Sequence, residues 1–419
     1  MKQKVALVVV ALLVVAAIGV FTLAPGIVER GQNKIDGAPL PAVSERAEAL
    51  HRTLTIVDLH ADTLMWDRDL LDRGKRGHMD LPRLIEGNVA LQVFSSVTQS
   101  PRGLNYDANS VAALDNITPL VIVQGQPSQT WSSLLQRSLY HAEKLDDAVE
   151  RSGNRLLKVT RPEDIGGLLA RRAIKGRGVG AMLSIEGLHD LEGDLGNLDK
   201  LYEAGFRMAS LTHFFDNDLA GSMHGIEKGG LTEKGREAVR RMEALGMIVD
   251  VAHCSHQCVA DILAMARRPV VSSHGGVQAT CKVNRNLADD EIRGVARTGG
   301  VVGIGYWDGA VCSTDPAAVA EAIKHVRDLV GIEHVALGSD YDGATTVRFD
   351  TSQLVQATQA LLDAGFTDDE IRAVMGGNAL RVLRAGISPL PLAGGAGGGR
   401  VSTPRTDPPL TPPAGGRGT

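Results

Sequence analysis

KGREAVRRMEALGMIVDVAH, residues 234–253, carries the pattern that decides the fold. Its first half sets apolar residues three and four apart among Arg and Glu, the spacing of one buried helix face. Gly246 follows, the residue best suited to the left-handed turn that stops a helix. Then comes a short, β-branched apolar run with the character of a strand buried on both faces, and it ends on His253. The same order of helix, glycine and strand recurs in NLDKLYEAGFRMASLTH, 197–213, and in AAVAEAIKHVRDLVGIEHVALGSD, 317–340.

Working outward, the strand-like runs are TIVDLH, ALQVFSSV, AMLSIEG, RMASLTH, IVDVAH, PVVSSH, VVGIGYW and HVALGSD. Eight strands alternating with helices predict a (β/α)8 TIM barrel, the loops after the strands building the active site. An open doubly wound sheet is the alternative, and no glycine-rich phosphate loop follows the first strand to support it. Thr98 to Val159 is longer than one helix and predicts an irregular excursion near the barrel mouth.

The ends read differently. Lys2 and Lys4 precede twenty uncharged residues, Val5 to Ala24, the length of a bilayer span and longer than a usual signal-peptide core. Residues 1–25 are therefore expected to be an N-terminal transmembrane helix with its start inside, placing a single-pass protein's body on the extracytoplasmic, periplasmic side of the cell membrane. Cleavage of this segment as a signal, leaving a secreted or periplasmic protein, is the alternative. Residues 26–43 read as a linker, 44–387 as the barrel, and 388–419, rich in Gly and Pro, as a disordered tail. A net charge of -5 with no basic stripe gives no case for nucleic acid.

Metal-type side chains end the strand runs: His60 and Asp62, Glu186, His253 and His274. Singly each is weak, since H-x-D is short and a lone His after a strand is more often structural. Together they are five N and O ligands on one predicted rim, more than one tetrahedral zinc takes, whereas two metals sharing Glu186 use them all. His213 and Asp340 end two further strands, and Arg285 follows the His274 strand. Asp340 suits a proton shuttle, with a salt bridge as its bland alternative; His213 suits a hold on a carbonyl oxygen; Arg285, otherwise an ordinary surface cation, suits a substrate carboxylate. His51, His78, His141, His325 and His334 lack companion ligands and read as structural. His189 reads as a partner of the ligands or a surface residue, and His224 and His256 are undecided.

The motifs D-L-H-A-D, S-I-E-G, L-T-H, D-V-A-H-C-S, S-S-H, N-R-N and G-S-D-Y-D-G, in this order, with G-G-N-A-L-R-V-L near the end, resemble the membrane dipeptidase (renal dipeptidase) family of zinc metallopeptidases. The resemblance implies a (β/α)8 barrel with two Zn2+ ions per chain. His60 and Asp62 would bind one, His253 and His274 the other, and Glu186 would bridge them. It also implies that dipeptides are hydrolysed by a metal-bridging hydroxide, that substrate is bound by His213, Arg285 and Asp340, that Cys281 pairs with Cys312, and that a homodimer is compatible. Cys254 and Cys258 read as core or free thiols rather than a zinc knuckle. Another amidohydrolase-type metal hydrolase, such as a lactonase or deacylase, is the nearest alternative, but such barrels commonly use H-x-H and a carboxylated Lys where this chain has Asp62 and Glu186. A non-catalytic binding barrel is the other; it gives no reason for Asp340 beside five ligands.

Overall fold

The 234–253 stretch folds as its pattern predicts. The Thr232 hydroxyl accepts a hydrogen bond from the Gly235 amide and starts a helix over Glu233–Leu245, which buries Ala238, Val239 and Met242. Gly246, at φ 81°, ends it. The strand Ile248–Asp250 follows, wholly buried. The computed structural model describes residues 2–176 and 178–388; residues 389–419, nearly all of the stretch read as a disordered tail, lie outside them.

Eight strands close a ring: β1 (Ile56–Ala61), β2 (Val89–Val97), β3 (Val179–Glu186), β4 (Phe206–Ser210), β5 (Ile248–Asp250), β6 (Val271–Ser272), β7 (Val301–Ile304) and β8 (Val335–Leu337). Each pairs in parallel with the next, and β8 returns to β1 with Leu337 opposite Asp58. This is the (β/α)8 barrel. A further short strand, Leu156–Lys158, lies against the first residues of β3, below the point where β4 takes over that edge. It belongs to the 98–159 excursion, which also contains helices Ile117–Val123 and Leu134–Arg151.

Val57, Leu91, Met182, Met208, Ile248, Val271, Val301 and Ala336 form one buried cluster. One residue from every strand of a closed ring must meet in its lumen, so the barrel is filled rather than hollow. The C-terminal helix Asn378–Gly386 adds Ala379, Val382 and Leu383 to that cluster. A side chain at Gly376 would collide with the Thr55 carbonyl before β1, and one at Gly386 with Ile248 at the start of β5. The G-G-N-A-L-R-V-L segment therefore crosses the barrel floor from one strand to its opposite, leaving the other rim for chemistry.

The reading of residues 26–43 needs correction. The N-terminal helix runs from Lys2 to Gln32, straight through Pro25, with large apolar side chains such as Leu7, Leu13, Ile18 and Leu23 exposed. Lys34–Ile35 then pairs in parallel with Thr346–Val347 beyond β8. Glu29 is 1 % exposed and ion-paired to both Arg68 and Arg76, so this polar stretch is docked on the barrel rather than free. Cys281 and Cys312 are bonded, joining the loops after β6 and β7; Cys254 and Cys258 are buried free thiols.

Behind β2, Ser96 joins His141 Nδ1 (2.8 Å) to Ser138, whose hydroxyl donates to Asp190 Oδ2 at 2.6 Å. Burial raises the Asp190 carboxyl to about 7, because only one oxygen finds a donor. Between an ordinary 3.8 and about 7, folding then takes up a proton, so Asp190 opposes folding increasingly as pH rises through that window. Asp190→Asn should therefore raise the melting temperature more at pH 8 than at pH 5; an equal shift at both, by thermal unfolding, contradicts this account.

Candidate metal centre

The ligand-type residues arrive from strand ends, as a parallel barrel delivers them. His60 is the fifth residue of β1 and Asp62 follows that strand; Glu186 is the last residue of β3; His253, His274 and Asp340 lie two or three residues past β5, β6 and β8. All are at least nine-tenths buried. His253 (φ 64°) and Asp340 (φ 57°) hold left-handed backbone, as do Asp342 and Ala344. Such residues cost roughly 1–3 kcal/mol each and persist only where their surroundings fix them. Gly343 lets the turn close: a side chain there would lie 2.0 Å from Asp340 Oδ1 and 2.7 Å from Asp62 Oδ2.

Glu186 is central. Its Oε1 lies 2.8 Å from His253 Nε2, 3.1 Å from His274 Nε2 and 3.7 Å from His60 Nε2. His60 Nε2 is in turn 3.4 Å from Asp62 Oδ2 and 4.0 Å from Asp340 Oδ1, and His213 Nε2 is 3.7 Å from Glu186 Oε2. Burial raises the Asp62 carboxyl, with Glu186 adding to it; burial likewise raises Asp340 against the pull of His60. For Glu186, burial is outweighed by His213, His60 and the hydrogen bonds of His253 and His274, which hold it low. His253 and His274 turn their Nε2 atoms toward each other at 2.9 Å, and burial keeps both rings well below their ordinary value. Among the described residues, His60 Nε2 and Asp62 Oδ1 have no hydrogen-bond partner. Three buried carboxylates crowded against imidazole nitrogens suit divalent cations, which neutralise the carboxylates and take the imidazoles as neutral donors.

Two buried aspartates set this geometry, and the sequence reading passed over them. Asp58 Oδ1 accepts from the backbone amides of His60 and Ser339, tying β1 to the β8 end. Asp250 Oδ1 accepts from those of Ala252 and Ser273, tying the His253 turn to the His274 strand. A signal was present: the triplet IVD occurs at 56–58 and again at 248–250, each time two or three residues before a histidine of the centre.

The centre opens into a cavity of about 580 Å³ lined by Asp62, Glu186, His213, His253, Arg285 and Asp340. Arg285 is buried, lies over the Trp307 ring at 4.6 Å, and has an Nε without a hydrogen-bond partner. His213 Nδ1 is 3.2 Å from the Gln99 carbonyl, which leaves Nε2 for the cavity. Trp307, Tyr106 and Phe214 also line it, and sequence reasoning missed them; VVGIGYW ending on an aromatic was the available hint. His189 is buried against Thr98, and His224 stacks on Phe214 with Nδ1 held at the Tyr106 carbonyl; His256 pairs with Glu291 away from the cavity.

A family model described as membrane dipeptidase (peptidase family M19) matches residues 44–387. Dipeptidase aclJ of Aspergillus oryzae is 38% identical over 215 residues, 49% of this chain and 51% of that protein, so the chain matches about half the length of this curated relative. Among solved structures, a probable dipeptidase from Pseudomonas aeruginosa superposes with TM-score 0.67 at 21% identity, over 81% of this chain and 97% of that one. A metallopeptidase from Rhodobacter sphaeroides, liganded with a phosphinate mimic of the dipeptide L-Ala-D-Ala, gives 0.63 at 22% identity, over 80% and 99%. At these identities the structures speak to the fold.

Because Asp250 fixes together the backbones that carry His253 and His274, both expected as metal ligands, Asp250→Ala should weaken metal affinity by about 10–100-fold. Chelator competition on the folded variant measures this, and unchanged affinity would mean the turns hold without it.

Proposed function

The chain belongs to the membrane dipeptidase family, and from that premise we propose that it is a zinc-dependent dipeptidase with two zinc ions bridged by Glu186. The observation that carries this reading is Glu186 Oε1 standing within 3.1 Å of two imidazole nitrogens and 3.7 Å of a third. His60 and Asp62 would hold one ion, His253 and His274 the other. When bound, the ions supply Lewis-acid chemistry: they lower the pKa of a water from ~15.7 towards ~7 and neutralise charge developing on the substrate.

The chain's own residues do the rest. Asp340 Oδ1, raised by burial and close to His60, takes the proton of the attacking water and passes it to the leaving amine. His213 Nε2 holds the carbonyl oxygen of the scissile bond. Arg285, stacked on Trp307, binds the free carboxylate of the substrate, and a site that grips this end beside the scissile bond selects dipeptides by length. A Lys-bridged amidohydrolase site is disfavoured because a carboxylate, Glu186, stands among the imidazoles and no Lys lines the cavity among the described residues. The exposed apolar helix Lys2–Gln32 supports a membrane anchor with the barrel outside the cytoplasm.

Glu186→Gln should lower zinc content and turnover together, whereas Asp340→Asn should keep the metals and lose turnover; metal analysis beside a dipeptide assay separates them, and equal zinc in Glu186→Gln and wild type sinks the bridge.

Arg285→Ala should remove a charge-assisted contact of roughly 1.5–3 kcal/mol, about one to two decades in kcat/KM, for free dipeptides. Carboxyl-amidated dipeptides never make that contact and should lose much less; equal losses on acid and amide would show that Arg285 supports its loop instead.

A further inference from the structure

The end of the N-terminal helix reaches the substrate cavity. Val28 and Gln32, one helical turn apart, both line it. The helix packs there against Ile117–Val123, whose Ile117 and Leu120 line the same cavity together with Met65 and Leu104. Val28 is 40% exposed, as an apolar side chain at a cavity mouth is.

This end is fastened to the turn that carries Asp340. Glu29 Oε1 lies 2.5 Å from Arg68 Nε, and Arg68 reaches Asp342 Oδ2 at 2.5 Å, two residues from Asp340. Asn33 Oδ1 accepts from the Ala344 amide at 2.9 Å, and the Lys34 amide donates to the Thr345 carbonyl at 3.1 Å. His78 closes the circuit, with Nε2 at the Lys34 carbonyl and Nδ1 accepting from the Asp342 amide. Removing the helix end would therefore unmake both a cavity wall and the brace of a left-handed turn.

We propose that the last turn of the N-terminal helix is a specificity element of the active site. Val28 and Gln32 wall the cavity beside the 343–346 loop, and with the apolar lining they favour dipeptides bearing a bulky apolar side chain. Glu29 is the positioning residue that keeps the wall docked. The substrate preference rests on the dipeptidase reading; the docking does not. If the helix is a membrane anchor, the site opens about one helical turn, ~6 Å, from the end of the apolar run at Ala24.

The test uses full-length, zinc-loaded protein in detergent. Wild type should hydrolyse Leu-Leu at least tenfold better than Asp-Asp. Val28→Trp and Gln32→Trp should each cut kcat/KM for Leu-Leu about tenfold or more while changing Gly-Gly by less than about twofold, at unchanged zinc content. Glu29→Gln should speed tryptic cleavage after Arg30 and Lys34 in the folded protein, and Glu29→Asp should restore part of the protection. Equal effects of the tryptophans on both substrates, or none, would overturn the wall while leaving the dipeptidase standing. Unaltered cleavage in Glu29→Gln would overturn the docking role. Failure of wild type on every dipeptide would overturn the dipeptidase reading and the side-chain preference with it.

Discussion

Burying Glu186 between imidazoles at the end of β3 imposes a condition on everything around it. A carboxylate taken out of water costs several kcal/mol unless charge and hydrogen bonds answer it, and here Asp62 and Asp340 add two more within a few ångströms. The imidazoles of His60, His253, His274 and His213 cannot be placed by one local motif, because they come from strands on different parts of the ring. Only a closed barrel with a packed lumen brings those strand ends to a common rim at fixed spacing. The C-terminal helix across the floor and the eight-strand cluster above it are, in this sense, the support for a charged rim that could not assemble alone.

That support is finer than the fold. Asp58 and Asp250 spend their own carboxylates on backbone amides, each joining two strand ends that carry titratable side chains of the rim. Left-handed backbone at His253 and Asp340 is tolerated because these bonds, and the collision-free Gly343, leave the chain nowhere better to go. Strain and its compensation sit together at the rim.

Much of this was legible in the residues. The strands announce themselves because burial on both faces demands continuous apolar runs, and the metal-type side chains are visible because each stands at or just past the end of such a run. Helix stops such as Gly246 are equally local. What stayed hidden is what links distant residues without a period. Nothing in Glu29, Arg30, Gln32 and Asn33 distinguishes a docked helix end from a polar linker, since the partners, Arg68, Asp342 and Ala344, are far along the chain. The IVD repeat was in plain view, yet an aspartate in a strand reads as a defect until the two amides it serves are known. Leu156–Lys158 is too short to carry a pattern at all.

The docked helix end also changes how the two ends of the reaction site relate. The cavity's charged groups are fixed by the barrel, whereas its apolar lining joins Phe214 and Trp307 from the barrel's loops to Ile117, Leu120 and Val28 from the 98–159 excursion and the N-terminal helix, elements outside the eight-fold repeat. On the proposed reading, chemistry and part of the selectivity are carried by different parts of the chain. The rim cannot vary without leaving carboxylates unanswered, whereas the apolar wall contributes no charge to that balance and is free to change with the substrate. A barrel built this way keeps one reaction and lets the added segments decide which molecules reach it.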